Sequence, residues 1–461
     1  MKKINKIFLI AAVTGLGLFT SCKKTLEVEP KQTIDAKDAL ENDQDVNSLV
    51  VGAYSTMGGG SLYGTNLLLI PDLLGSEGVL TWRGTFQSPK NIAAKAMVRD
   101  NADANLTWTA AYNAINIANT AIEALPIVKD ADLKKQLEGE ALFVRGIMHF
   151  ELVRLYALPW GATAGNTHLG VVIKTTSTKT EEQAFEKIPR STVSQVYTQI
   201  LADLTKAVTL LPEENGTRVT KFTALAFLSR VYLSQLNYPA ALDASNQVIE
   251  SGLYKMNAAV SAVFDNKNTA ESIWEIQQNE QNNAGTANNG MATFYASLPG
   301  IGRGDVRVTA SFVTGNYPAG DLRQTEWFYI GTGARPGNTY TSKWKSFSQN
   351  LPVVRIAEMY LTRAECNIRL GSAIGDTPGN DLAKVKNTVR TNSIAPAVPT
   401  LTNILNERFI ELAYEGQRIH DLRRLRMPTG SFAWNSDKLV FPIPQREVDA
   451  TSGVLIQNPG Y

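Results

Sequence analysis

Two groupings of side chains in this sequence have the types and spacing for chemistry. The denser one runs from Glu407 to Arg424, where Glu411 and Glu415 stand one helical turn apart. That spacing suits a carboxylate acid/base pair or two metal ligands. Arg408 precedes Glu411 by three residues and Arg418 follows Glu415 by three, so each acid also has a basic neighbour at helical spacing. The same residues therefore read as an ion-pair network that supports the fold. The second grouping is dispersed through Gly- and Asn-rich stretches, where Trp82, Phe86, Phe294, Tyr295, Trp327 and Trp344 are interleaved with Asp72, Arg83, Arg303 and Asp305. Flat aromatic faces stack on the apolar face of a sugar ring or on peptide side chains, while Asp and Arg satisfy hydroxyls and carbonyls. Such rings can also pack loops onto helices. From this grouping Asp72, Trp82, Arg83, Tyr295 and Trp327 are the candidate ligand-binding residues, and no catalytic residue is assigned.

A third feature lies at the start of the chain. Lys2, Lys3 and Lys6 precede thirteen mostly apolar residues, Ile7 to Phe19, and then Thr20, Ser21 and Cys22. This is the layout of a secretory signal, too short to span a bilayer, which needs about 20 apolar residues. Cleavage before Cys22 would expose a thiol for acylation, and several acyl chains on one residue make a stable anchor. Removing residues 1–21 takes away three lysines and no acid, leaving 42 basic residues against 43 acidic. So balanced a chain lacks the basic stripe of a nucleic-acid binder. With Cys22 acylated, Cys366 has no partner for a disulfide and reads as a buried small side chain. His149, His168 and His420 lack ligand spacing, so neither a metal site nor a cofactor is expected. Gly300, Gly302 and Gly304 lack the Lys-Ser/Thr ending of a phosphate loop and read as a turn.

The elements that must position these groups are helical. Residues 23–45 are polar and read as a tether, after which apolar residues recur at spacings of three and four. Trp108 to Asn119 forms one such block, and Gly139 to Tyr156 forms another that is apolar around most of its circumference and so is expected to be buried. Ser191 to Tyr254 reads as three helices, with Ser191 as the cap of the first and a tight turn at Asn237 to Pro239. Leu225, Leu228, Ser229, Tyr232, Tyr238 and Ala241 follow the spacing of a tetratricopeptide hairpin. Residues 353–371 read as a further small-residue packing helix, ending at Gly371.

Taken in order, these blocks resemble the SusD/RagB family of Bacteroidetes outer-membrane lipoproteins. The resemblance rests on Ser21-Cys22 followed by Leu26 to Pro30, on Glu140 to Tyr156, on Tyr238 to Leu242 and on Glu271 to Ile276. It continues through Val354 to Glu365, Glu407 to Arg424, Phe441 to Pro444 and Gln457 to Tyr461. It implies a mainly α fold of tetratricopeptide-like helical hairpins in a right-handed superhelix, with a loop-rich remainder that carries the ligand. The expected division is a signal peptide over 1–21, a lipid-anchored tether over 22–45 and one domain over 46–461. Within that domain the helices fall mainly in 105–255 and 352–425, and the ligand face in 57–100 and 278–350. The resemblance further implies capture of oligosaccharides, or of peptides, at the outer membrane for a SusC-like TonB-dependent barrel transporter, without catalysis. A glycoside hydrolase would instead need a free carboxylate pair across a cleft. Lys23 and Lys24 stand where surface-displayed members often carry acids, which leaves the membrane face open.

Overall fold

The structure is a computed structural model that describes residues 40–461; Cys22, the signal segment and most of the tether lie outside the described residues. The first helix, α1 (Asp43–Met57), begins inside the expected tether because Asn42 caps it, accepting from the amides of Gln44 and Asp45 in a capping box. After α2 (Asn66–Leu74) come the long helices α3 (Ala102–Ala124), α4 (Ala131–Tyr156) and α5 (Val193–Leu210), then α6 (Lys221–Ser234) and α7 (Tyr238–Glu250). Each of α3 to α6 packs on the next in sequence, and α3 also packs on α1. The C-terminal part supplies α8 (Met291–Tyr295), α9 (Ile356–Leu370), α10 (Pro378–Val385), α11 (Leu401–Glu411) and α12 (Arg418–Arg424). Helix α9 packs on α7, α10 and α11, which continues the succession of neighbours. None of the described helices is long and apolar enough to cross a membrane.

Local sequence explains these elements. Every residue of α4 from Gly139 to Tyr156 is buried, as its apolar circumference requires. Gly146 lets α5 approach: a Cβ there would lie 3.1 Å from Leu204 Cγ. Arg145 of α4 ties the two helices by donating to Asp203 of α5 at 2.6 and 2.9 Å. The expected three helices of 191–254 are present, although the cap of the first is Thr192, whose hydroxyl accepts from the Gln195 amide. In the hairpin of α6 and α7, Leu225, Leu228, Ser229 and Ala241 are buried, and Tyr232 and Tyr238 are half-buried beside them.

One boundary differs from the sequence reading. Val353, Val354 and Arg355 belong to a strand, Leu351–Arg355, which pairs antiparallel with Ser272–Ile276 and precedes α9 directly. β-Branched Val353 and Val354 fit a fully buried strand as well as an apolar helix turn, and the partner lies some 80 residues away in sequence. Gly371 ends α9 in the left-handed conformation, φ 63°, as expected. The stretches read as long loops also carry short strands: Leu80–Trp82 pairs with Val306–Val308, and Phe328–Ile330 with Thr339–Thr341.

Candidate functional site

The first of those strand pairs carries two of the five candidate residues to the surface. Trp82 lies opposite Val306, and the next amide, that of Arg83, donates to the Asp305 carbonyl at 2.6 Å. Alternation along the strand buries Leu80 and leaves Trp82 half-buried and Arg83 exposed. The Trp82 ring is 5.7 Å from Phe294 of α8, and Phe294 meets Phe86 edge-on at 6.2 Å. Phe86 is 42% exposed and has the Arg303 guanidinium 4.1 Å above its ring. Beneath this platform the Asp305 carboxylate is fully buried, with Arg303 at 3.0 Å and Arg335 at 3.4 Å. Burial raises the Asp305 pKa, and the two guanidiniums oppose that rise. Gly84 is the position that permits this packing, since a Cβ there would lie 2.5 Å from the Trp82 ring and 2.7 Å from Asp305 Cγ. Two buried nitrogens here have no hydrogen-bond partner, Trp82 Nε1 and Arg307 Nε.

The remaining three candidates are interior. Asp72 of α2 is 3% exposed and accepts from the Tyr295 hydroxyl at 2.7 Å and the Gly416 amide at 3.1 Å. Burial pushes its carboxyl up to about 7 against those hydrogen bonds. Tyr295 is fully buried, and Trp327 is 1% exposed, donating its indole N–H to the Val260 carbonyl at 2.9 Å while Lys343 Nζ lies 4.0 Å from its ring. The sequence reading offers these three as ligand-binding residues; the structure places all three in the interior. Tyr295 and Trp327 are packing aromatics whose rings meet Tyr414 and Phe264, and Asp72 is the buried acceptor of the Tyr295 hydroxyl.

A cavity of about 510 Å³ lies between the C-terminal end of α1 and the chain that follows Ser272–Ile276. Tyr54, Ser55, Arg218, Glu275, Gln277 and Asn283 line it. Glu275 is 3% exposed; its Oε2 accepts from the Asn268 amide at 2.9 Å and Asn350 Nδ2 at 2.8 Å, while its Oε1 has no partner. The loop 278–290 borders the cavity at Asn282 to Ala284 and then leads into α8, which carries Phe294 to the aromatic platform. Sequence reasoning did not single out this cavity. The signal was the run of amides and acid from Gln277 to Asn283, read only as part of a polar loop.

The Glu411 and Glu415 region offers no free acid. Helix α11 stops at Glu411, and Tyr414 and Gly416 have φ of 67° and 74°, so the two glutamates are not one turn apart on a helix. Glu411 receives Arg323 at 2.9 Å, Arg390 at 2.9 Å and Arg355 at 3.1 Å; Glu415 receives Lys343 at 2.6 Å and Arg355 at 2.7 Å. The ion-pair reading holds, but the partners differ from the helical neighbours proposed. Arg408 pairs with Glu358 and Asp421, and Arg418 lies 3.8 Å over the Phe409 ring. Burial pushes the Cys366 thiol up to about 12, which suits an inert packing residue.

Sequence profiles of two families match the chain, one described as "Starch-binding associating with outer membrane" over residues 25–233 and the SusD family over residues 313–440. The chain belongs to the SusD/RagB family. SusD-like protein P2 of Formosa agariphila is 26% identical over the whole of both chains, and SusD-like protein P25 of the same organism is 21% identical over 88% of this chain and 87% of its own. Among solved SusD-like structures, a SusD superfamily protein of Bacteroides thetaiotaomicron superposes with a TM-score of 0.82 at 23% identity, covering 91% of this chain and all of the other. A putative sugar-binding protein of Bacteroides vulgatus gives 0.79 at 24% identity over 92% and 99%. A laminarin-binding SusD-like protein gives 0.76 at 22% identity over 91% and 100%. The helix-rich SusD fold is thereby established, in a family associated with the outer membrane and with carbohydrate binding.

Proposed function

We propose that this protein is a non-catalytic lipoprotein, anchored through Cys22, that captures oligosaccharides at the cell surface and hands them to a SusC-like TonB-dependent barrel transporter. The observation that carries the reading is the Trp82 platform. A half-buried indole sits beside a second aromatic ring and the Arg83 and Arg303 guanidiniums, a combination that stacks on a sugar ring through the aromatic faces and donates to its hydroxyls through the guanidiniums. Trp82 and Arg83 are the ligand residues retained from the sequence reading, joined by Phe86 and Arg303. The absence of catalysis is supported by the state of the acids: the platform's buried Asp305 is bracketed by two arginines, and the acids of the C-terminal network are ion-paired. The test is a panel of glycans and peptides offered to the purified protein, read by tryptophan fluorescence and by chromatography of the recovered ligand. Saturable binding of a glycan recovered intact is expected. Selective binding of peptides would move the reading to peptide capture, and release of shorter sugars would overturn it.

A further inference from the structure

The corner of the molecule around Trp82 is out of balance in charge, although the chain as a whole is not. The stretches 80–93, 291–308 and 327–341 build the two outer strand pairs, α8 and the short helix Gln87–Ala93. They hold five basic residues, Arg83, Lys90, Arg303, Arg307 and Arg335, against one acid, Asp305. They are also neighbours in space: Leu80–Trp82 pairs with Val306–Val308, which packs beside Thr339–Thr341. Glu77, the acid just before them, is already held by Lys95.

The strand register gathers four of these cations around the one acid. Arg83 stands opposite Asp305, to whose carbonyl its amide donates, and Arg307 stands opposite Thr81. Side chains alternate along a strand, so Thr81, Arg83, Asp305 and Arg307 share a face, with Arg83 and Arg307 diagonal at about 7–8 Å. Arg303 and Arg335 converge there too, since both close on the Asp305 carboxylate, at 3.0 and 3.4 Å. One carboxylate therefore offsets one of four guanidiniums. The acid is buried but the cations are accessible: the Arg303 and Arg335 side chains are 26% and 30% exposed, Arg307 is half-buried and Arg83 exposed. Arg303 lies 4.1 Å over Phe86, which ties this charged face to the rings of Phe294 and Trp82.

We infer that the glycan taken at this platform is anionic, carrying carboxylate or sulfate-ester groups that the uncompensated guanidiniums receive. The inference rests on the capture reading above and narrows its ligand class. Neutral hydroxyls are served as well by amides and hydroxyls, whereas the guanidinium fork matches the paired oxygens of an oxyanion and binds them through stronger, charge-assisted hydrogen bonds. Like charges gathered on one face also repel one another. A bound anion removes that repulsion, and a neutral sugar leaves it in place.

An array of neutral, uronate-bearing and sulfated oligosaccharides, probed with the intact protein and followed by titration of each binder, tests this. Binding is expected among the charged glycans, with a loss of roughly tenfold or more when the same oligosaccharide is methyl-esterified or desulfated; these two arms also tell carboxylate from sulfate. Affinity is expected to fall about tenfold as sodium chloride rises from about 0.05 to about 0.5 M, and by about as much in the double variant Arg83→Gln, Arg307→Gln. The esterification and salt series need no variant, so they decide the matter whether or not the double variant folds. Equal affinity for a charged glycan and its neutralised form, or a neutral glycan bound indifferently to salt, overturns the inference and leaves the capture reading standing. A protein that takes no glycan, or peptides alone, overturns both.

Discussion

The C-terminal charge network and the Trp82 platform use the same side-chain types to opposite ends. In the network four cations, Arg323, Arg355, Arg390 and Lys343, meet five acids, Asp321, Glu271, Glu407, Glu411 and Glu415, and all are buried. Burial alone would raise the Glu411 carboxyl, but Arg390, Arg355 and Arg323 hold it well below the usual range. At the platform the balance runs the other way. Arg303 and Arg335 converge on one acid, Arg83 is exposed, and the Trp82 indole nitrogen is left unsatisfied. On the proposed reading, charge density marks the scaffold in this molecule, whereas a partly exposed aromatic ring beside accessible guanidiniums marks the ligand face.

The largest effect is expected from the network. Arg355 donates to Glu271, Glu411 and Glu415, and Arg355→Met leaves those carboxylates short of counter-charge in the interior. A loss of about 3–5 kcal/mol is expected in denaturant unfolding. A variant within ~0.5 kcal/mol of the parent would show that the network is not structural.

A pH series separates two buried carboxyls by sign. Glu358, in the charged scaffold, would be raised by burial but is brought down to about 2 by Arg230 and Arg408. Its stabilising contribution is complete above its ordinary value of 4.5 and is lost as the pH falls through 4.5 towards 2. Asp72, beneath Tyr295 on the loop side, is raised from 3.8 to about 7, so its contribution declines as the pH rises between those values. Asp72→Asn is expected to gain on the parent over that interval, on the order of 2 kcal/mol by neutral pH. A parallel dependence in parent and variant would remove Asp72 as the source.

A smaller effect is expected at Gly84. Its φ is not of the left-handed kind, so Gly84→Ala acts through the collision of its Cβ with the Trp82 ring and Asp305. Glycan affinity should fall by roughly three- to tenfold, about 1 kcal/mol, with little change in melting temperature. Unchanged affinity would mean that the indole position does not matter to the ligand.

The contrast also explains what was legible in the sequence. Helical blocks such as Gly139 to Tyr156 announce themselves because burial all round a helix needs only local apolar spacing. The strand at Val353 to Arg355 does not, because its partner, Ser272 to Ile276, is remote in sequence. Glu411 and Glu415 were correctly read as ion-paired, yet their cations come from Arg323, Lys343, Arg355 and Arg390, and the left-handed Tyr414 breaks the helix that would have joined them. Loop aromatics were the hardest to read. Composition gives Trp82 and Trp327 the same standing, and only the fold shows that one rests half-buried on a two-stranded edge while the other is sealed with its N–H on Val260.

Titration calorimetry of a glycan ligand against the parent, Trp82→Ala and Trp327→Ala, with melting temperatures recorded on the same samples, tests the central claim most directly. The account predicts at least a tenfold loss of affinity, about 1.4 kcal/mol, for Trp82→Ala at nearly unchanged melting temperature. For Trp327→Ala it predicts a loss of stability of about 3–5 kcal/mol. Full affinity in Trp82→Ala would contradict it.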